Sequence, residues 1–208
     1  MIDGMSDHAH VTLPPPAVPV DQATAAYERW LGGHVAIVEK DLETKHERMA
    51  KSAFMFFRAT FYRWAERFTQ LCPDLLAAPA VLGVGDLHVE NFGTWRDAEG
   101  RLAWGINDFD EAAPLPYAND LVRLAASAEL AARENNLGVK PGDTCDGILA
   151  GYAASLHDGG CPFVLGERHG VLRALAVSEL RDPERFWKKL DEAAPLPPGE
   201  VVPAAASA

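Results

Sequence analysis

Apolar positions along the chain begin at helical spacing, bunch into short runs, and then return to helical spacing. Asp21 can cap a helix from Gln22 to Leu31, which Gly32 and Gly33 break. A second, highly charged helix is predicted over Val35 to Glu47. The sharpest periodicity follows. Phe54, Phe57, Phe61, Trp64, Phe68 and Leu71 are spaced 3, 4, 3, 4 and 3, which is one face of an amphipathic helix. An aromatic stripe at that spacing reads as core and not as a cofactor box.

After Pro79 the period changes. Ala80 to Val84 is a short apolar run bounded by Pro and Gly, which predicts a buried strand. Asn91–Arg96 and Arg101–Asn107 are extended stretches, and Asp97-Ala98-Glu99-Gly100 joins them as the turn of a hairpin. From Asp120 the helical spacing resumes at Leu121, Leu124, Ala128 and Ala131/Ala132, with Asn119 or Asp120 as the cap. Further helices are predicted over Asp143–His157, Glu167–Leu180 and Pro183–Ala193. Pro183 sits at a first helical position behind Asp182. The fold class is α+β, mainly α, with helices around one hairpin and a lead-in strand. Residues 1–20 are polar and proline-rich and read as a disordered arm, and residues 194–208 read as a Pro/Ala-rich tail. The foldable part is 21–193.

Composition narrows the function classes. The 208 residues fit one ordinary domain, and 48% apolar with 24% charged residues is globular. Acids outnumber bases 30 to 19, a formal charge of −11. That balance argues against nucleic acid or an anionic membrane as partner, because both demand clustered Lys and Arg. No apolar run approaches the ~20 residues of a membrane helix, and the N-terminus has neither the basic nor the apolar region of a signal peptide. Cys72, Cys145 and Cys161 are odd in number and widely spaced, without CxxC. They indicate neither a disulfide framework nor a zinc site, and read as reduced, mostly buried thiols of a cytoplasmic protein.

The chemistry falls in one window: Gly85-Asp86-Leu87-His88-Val89-Glu90-Asn91-Phe92-Gly93, then Ile106-Asn107-Asp108-Phe109-Asp110-Glu111, then Asp120-Leu121. Asp86 follows the predicted strand directly. Asn91 opens the hairpin and Asp108 closes it, so their side chains are expected within reach of each other and of Asp86. Oxygen donors converging at strand ends make a hard-cation site that suits magnesium.

GDLHVEN resembles the H-G-D-x-H-x-x-N catalytic loop of aminoglycoside and choline kinase-like phosphotransferases. INDFDE followed by Asp120-Leu121 resembles their metal segment and the Asp-Leu that opens a helix. More closely, Arg48 to Ser52, Phe57-Arg58, GDLHVENFG, NDFDEAAP and Asp120 to Ser127 resemble an uncharacterised bacterial family, the domain of unknown function 2252, itself similar to the protein kinase-like fold. The resemblance covers about Arg48 to Ala132 well and the remainder loosely. It implies a helical, kinase-like C-lobe with the hairpin carrying the catalytic and metal loops. It implies transfer of a nucleotide γ-phosphate to a hydroxyl of a small molecule, with ATP and Mg2+ as cofactors. By the same resemblance Asp86 accepts the proton of, or orients, the attacking hydroxyl, Asn91 holds magnesium, and Asp108 bridges magnesium to the phosphates. A carboxylate near its usual pKa of ~3.9 is ionised and suited to those tasks.

Other residues of the window keep two readings. His88 either orients the loop through backbone hydrogen bonds or takes part in the reaction. Asp120 reads as a helix cap that also bonds the catalytic loop. Asp110 and Glu111 are either an extra metal ligand or solvated acids at a strand end. Arg58, which interrupts the aromatic face, pairs either with a phosphate or with a carboxylate of the site.

Two kinase parts are missing from the sequence. There is no G-x-G-x-x-G loop, and Val35-Ala36-Ile37-Val38-Glu39-Lys40 imitates the ATP-lysine strand with the wrong spacing and no glycine loop before it. The chain is therefore expected to match the first part of a longer protein, with the catalytic and metal loops but not the nucleotide-covering lobe. Three alternatives stand beside a phosphotransferase. The first is a non-catalytic binding or regulatory module, which the missing parts favour. The second is a metallophosphoesterase, which shares Gly-Asp-x-His but needs further histidines behind Gly-Asn. The third is a cluster of solvated strand-end acids without function.

Overall fold

The computed structural model describes residues 18–178 and 183–192. The two proline-rich ends therefore lie outside the described residues, apart from residues 18–20. Helix α1 (Val20–Gly32) begins one residue before Asp21, which sits in its first turn and does not cap it. A carboxylate there still favours the helix through the dipole. Helix α2 (Glu39–Met49) starts later than the charge pattern suggests. Val38, the residue before it, is extended, the conformation β-branched residues favour.

The aromatic stripe belongs to two helices and not to one. These are α3 (Ala53–Ala59) and α4 (Phe61–Leu71), separated at Thr60, whose φ and ψ of −128° and 43° are not helical. The Thr60 hydroxyl donates to the Phe56 carbonyl at 2.8 Å and so takes the bond that a continuing helix would give to a backbone N–H. Ser52 caps α3, its hydroxyl accepting from Met55 N at 3.0 Å. Phe54 and Phe68 are buried, whereas Leu71 at the end of the stripe is exposed.

Strand β1 (Ala80–Gly83) forms where the apolar run predicts it, but it is not buried: Val81 is 45% and Leu82 79% exposed. Its partner is β4 (Ala113–Pro116), antiparallel, with Leu82 opposite Pro114 and Ala80 opposite Pro116. The two prolines hide β4 from sequence reading, and they are tolerated because the ribbon has only two strands, so each has a free edge. Between them lies the predicted hairpin, β2 (Phe92–Arg96) and β3 (Leu102–Ile106), in register from Phe92–Ile106 to Arg96–Leu102. A short β5 (Phe163–Val164), not predicted, adds a third strand beside β3.

Helix α5 (Tyr117–Glu134) follows β4 directly. It starts three residues before Asp120, behind Pro116, so neither Asn119 nor Asp120 is its cap. Its buried residues are Ala118, Asn119, Arg123, Ser127 and Ala132, a mostly polar set. The apolar Leu121 and Val122 instead face helix α6 (Pro141–His157) across a small apolar pocket. Beyond α6, the single helix predicted over Glu167–Leu180 is two short ones, α7 (Leu165–Arg168) and α8 (Gly170–Ala176), with His169 between them. Leu180 is outside the described residues. Helix α9 (Pro183–Asp191) matches its prediction, and Ala193 again lies outside the described residues. All three cysteines are unpaired, as expected, but Cys145 and Cys161 are exposed and not buried. No helix of the described residues is long and apolar enough to cross a membrane. The molecule is thus α+β and mainly helical, with two small antiparallel sheets.

Gly85, in the loop after β1, has φ +82°, and a Cβ there would meet the Glu111 carbonyl oxygen at 2.4 Å. Gly100 has a similar φ of +77° with nothing within 4 Å. Gly85→Ala should therefore lose more than the ~1–3 kcal/mol of backbone strain that Gly100→Ala alone incurs. Urea midpoints of the two variants measure the difference; equal losses would rule out close packing of the loop on Glu111.

Candidate functional site

Three polar side chains of α5, spaced 3 and 4 along one helical face, hold the loop between β1 and β2. Asp120 accepts from Val84 N at 2.6 Å and Gly85 N at 3.1 Å. Ser127 accepts from Val89 N at 3.1 Å. Between them Arg123, fully buried, donates Nε to Asp86 Oδ1 at 3.0 Å and Nη2 to the same oxygen. Arg123 Nη2 also donates to the Phe57 carbonyl at 2.9 Å. Its guanidinium carbon lies 4.1, 5.1 and 5.2 Å from the ring centroids of Phe57, Phe61 and Trp64. The aromatic stripe is therefore core, and it is also a cation–π box for one arginine. Arg123 and Ser127 lie within the stretch that resembles the family and carry no chemical motif of their own in the sequence. The signal was their spacing from Asp120.

Asp86 is fixed by this clamp through one oxygen only. Among the described residues Oδ2 accepts no hydrogen bond, and the side chain is 25% exposed. It lines a cavity of about 420 Å³ together with His88, Asp108 and Arg58. Burial raises the Asp86 carboxyl above its ordinary value, and Arg123 pulls it back only in part. Asp86 is thus a better proton acceptor than the ordinary carboxylate expected from sequence.

His88 is 3% exposed, and its ring stands edge-on to Phe54 at 6.1 Å. Burial first, then the charges of Arg58 and Arg123, lower its pKa to about 4. Its Nδ1 is buried without a hydrogen-bond partner, so the loop is held by His88's backbone: His88 N donates to Asn91 Oδ1 at 2.8 Å, and Asn91 N donates to the His88 carbonyl at 2.9 Å. Asn91 is buried and is not among the residues lining the cavity. Its carboxamide oxygen keeps one lone pair beyond the bond to His88.

The two ends of the hairpin do meet, since Asn107 N donates to the Asn91 carbonyl at 2.9 Å. Asp108 then turns to the cavity, and its Oδ1 accepts from Asp110 N at 3.4 Å. Asp110 and Glu111 are exposed. Arg58 pairs with a carboxylate of the loop itself, that of Glu90. The described residues contain no group of three or more His, Cys, Asp or Glu arranged to share a metal. Two carboxylates on one cavity fit a magnesium ion that takes its remaining ligands from water and phosphate.

Two outcomes follow from this arrangement. Arg123→Met leaves Asp86 unpaired and should cost about 3 kcal/mol, the low end for a broken buried pair because Asp86 keeps some water. The double variant Asp86→Leu/Arg123→Met should recover much of that loss in chemical denaturation. Full additivity of the two single losses would show that the pair is not coupled.

The second outcome concerns pH. Below pH 6.5 the unfolded chain protonates His88, whereas the folded chain does so only near pH 4. This stability is complete above pH 6.5 and falls by about 3 kcal/mol on the way to pH 4. The raised Asp86 carboxyl acts in the opposite sense, regaining stability as it protonates. Comparison with His88→Asn isolates the histidine. A His88 ring resonance that titrates near 6.5 would refute its burial.

Comparison with known proteins agrees with this region. The family described as "Uncharacterized protein conserved in bacteria (DUF2252)" matches residues 37–161, which include the loop, the hairpin, α5 and α6. No curated protein and no solved structure matches the chain. With more than half of its length covered, including Asp86, His88, Asn91, Asp108 and Arg123, the chain belongs to the DUF2252 family.

Proposed function

We propose that this protein is a kinase-like phosphotransferase of the cytoplasm, moving the γ-phosphate of a nucleotide such as ATP to a hydroxyl of a small molecule. One observation carries the reading. A carboxylate is locked through Oδ1 by a buried arginine, keeps Oδ2 without a hydrogen bond, and lines a cavity that also contains a second carboxylate and an arginine. Phosphoryl transfer asks the protein mainly for positioning and charge neutralisation, and this arrangement offers both. The three unpaired cysteines support a reducing compartment, and the acidic chain supports a small-molecule acceptor over nucleic acid or membrane.

In this reading Asp86 Oδ2 accepts the hydrogen bond, and then the proton, of the attacking hydroxyl. Its raised pKa makes it the stronger base, and Arg123 prevents it from rotating away. Asp108 would hold the magnesium ion at the cavity, with water and phosphate oxygens as its further ligands, since neither Asn91 nor Asp110 lines that cavity. Bound there, the ion supplies neutralisation of the phosphate charge. Arg58 turns from Glu90 to a phosphate oxygen, an exchange that costs little because the Arg58–Glu90 pair is open to solvent at the Glu90 end. His88, neutral above about pH 4, acts as a wall of the site and carries no positive charge near neutral pH.

Calorimetry of Mg-ATP binding tests the metal assignment. Asp108→Ala should weaken nucleotide binding at least tenfold, with equal affinity in both proteins refuting it. Asp86→Asn should leave nucleotide binding within a few-fold and lower turnover about 10²–10⁴-fold, the usual range for a lost general base.

A further inference from the structure

The cavity beside Asp86 has a second wall, built by α2 and α3, whose charge is opposite to that of the loop. Lys45 and Arg48 on α2 and Arg58 on α3 line it. Lys45 and Arg48 make no ion pair among the described residues. Lys45 Nζ lies 5.5 Å from the Tyr27 ring centroid and 6.0 Å from that of Tyr62, which attracts the ammonium without neutralising it. Arg58 is half committed. One guanidinium nitrogen serves Glu90, while Nε is buried without a partner. Facing the same cavity, His88 is almost wholly buried with Nδ1 unpartnered. Unsatisfied polar groups of this kind are rare in folded proteins and call for an explanation. Two cations without an ion pair, Lys45 and Arg48, also run against the composition, in which acids outnumber bases 30 to 19.

We propose that this wall binds an anionic group, a phosphate monoester or a carboxylate, carried by the small molecule whose hydroxyl meets Asp86. Against the three cations stand Asp41, one turn before Lys45 and outside ion-pair distance, and Glu90, which pairs with Arg58. The wall is left with a positive excess, opposite in sign to the −1.5 to −2 of a phosphate monoester at neutral pH. A nucleoside triphosphate carries more charge than this wall offers, and its partner is the metal at Asp108. The anion also orients the acceptor. Held at one end by α2 and α3, the molecule presents its hydroxyl to Asp86 Oδ2. The proposal takes the position of the hydroxyl from the phosphotransferase reading, but the anion binding itself requires no transfer of phosphate.

The test is calorimetry on the full chain without nucleotide or magnesium, using glycerol 3-phosphate as probe and glycerol as control. Glycerol 3-phosphate should bind and glycerol should not. Lys45→Ala/Arg48→Ala should weaken the probe at least tenfold, and Lys45→Arg/Arg48→Lys should restore most of it. Circular dichroism and melting confirm that both double variants fold, as expected at helix positions with solvent access. Unchanged affinity in the alanine variant overturns the proposal, as does the absence of binding by both glycerol 3-phosphate and inorganic phosphate. Displacement of the probe by saturating Mg-ADP assigns the cations to the nucleotide and overturns it too, whereas undiminished binding supports it. If Asp108→Ala leaves nucleotide affinity intact, the metal assignment fails alone and the probe result stands.

Discussion

The pairing of Arg123 with Asp86 is the constraint around which the rest of the molecule is arranged. A fully buried guanidinium has lost its water and needs a countercharge in that position, and here Nη1 is still left without a hydrogen-bond partner. Asp86 supplies the countercharge, the Phe57 carbonyl takes a further N–H, and three aromatic faces cover the plane. Each of these partners comes from a different stretch of chain from α5. The pair therefore fixes the loop after β1 against α5, and α5 against the α3–α4 corner.

That corner shows how a local break serves the same pair. In an unbroken helix the Phe57 carbonyl would accept from the N–H of Phe61, four residues on. Thr60 interrupts the helix, its hydroxyl occupying the Phe56 carbonyl. Phe57 is left in the last turn of α3 with a free carbonyl, one of the orphan acceptors at any helix end. Arg123 fills it, and a cation at the C-terminal end of a helix is also favoured by the dipole. The break leaves the aromatic spacing intact, so Phe57, Phe61 and Trp64 still face one guanidinium although they sit on two helices.

Element type was largely legible from period, and burial was not. The hairpin, its turn and the helical stretches follow from spacing that the backbone geometry enforces. Alternation and period cannot say which face is covered when the covered face is polar. In α5 the apolar spacing located the helix and pointed to Leu121 and Leu124, while the buried face carries Arg123 and Ser127. In β1 the apolar run gave a strand whose Leu82 is mostly exposed. β4 escaped notice because two prolines are acceptable only at an open edge, and an edge is a property of the tertiary fold. The candidate site was more legible. Of the three side chains expected to converge, Asp86 and Asp108 line one cavity. Asn91 is instead bonded into the loop through His88 N, since side-chain direction is set by three-dimensional packing and not by motif position.

Charge is distributed across the cavity rather than averaged over it. The loop and hairpin bring Asp86 and Asp108, and α2 and α3 bring Lys45, Arg48 and Arg58. Full neutralisation within the protein would require these groups to pair across the cavity, but the one buried pairing is already made from behind, by Arg123. Because Arg123 satisfies Asp86 Oδ1 from the core, Asp86 has less need of the α2–α3 cations, and the field between the two walls remains for a ligand to complete. The same arginine thus acts twice. It stabilises the fold by joining α5, the loop and the aromatic corner, and it satisfies one oxygen of Asp86 from the core while Lys45 and Arg48 stay without ion pairs on the opposite wall.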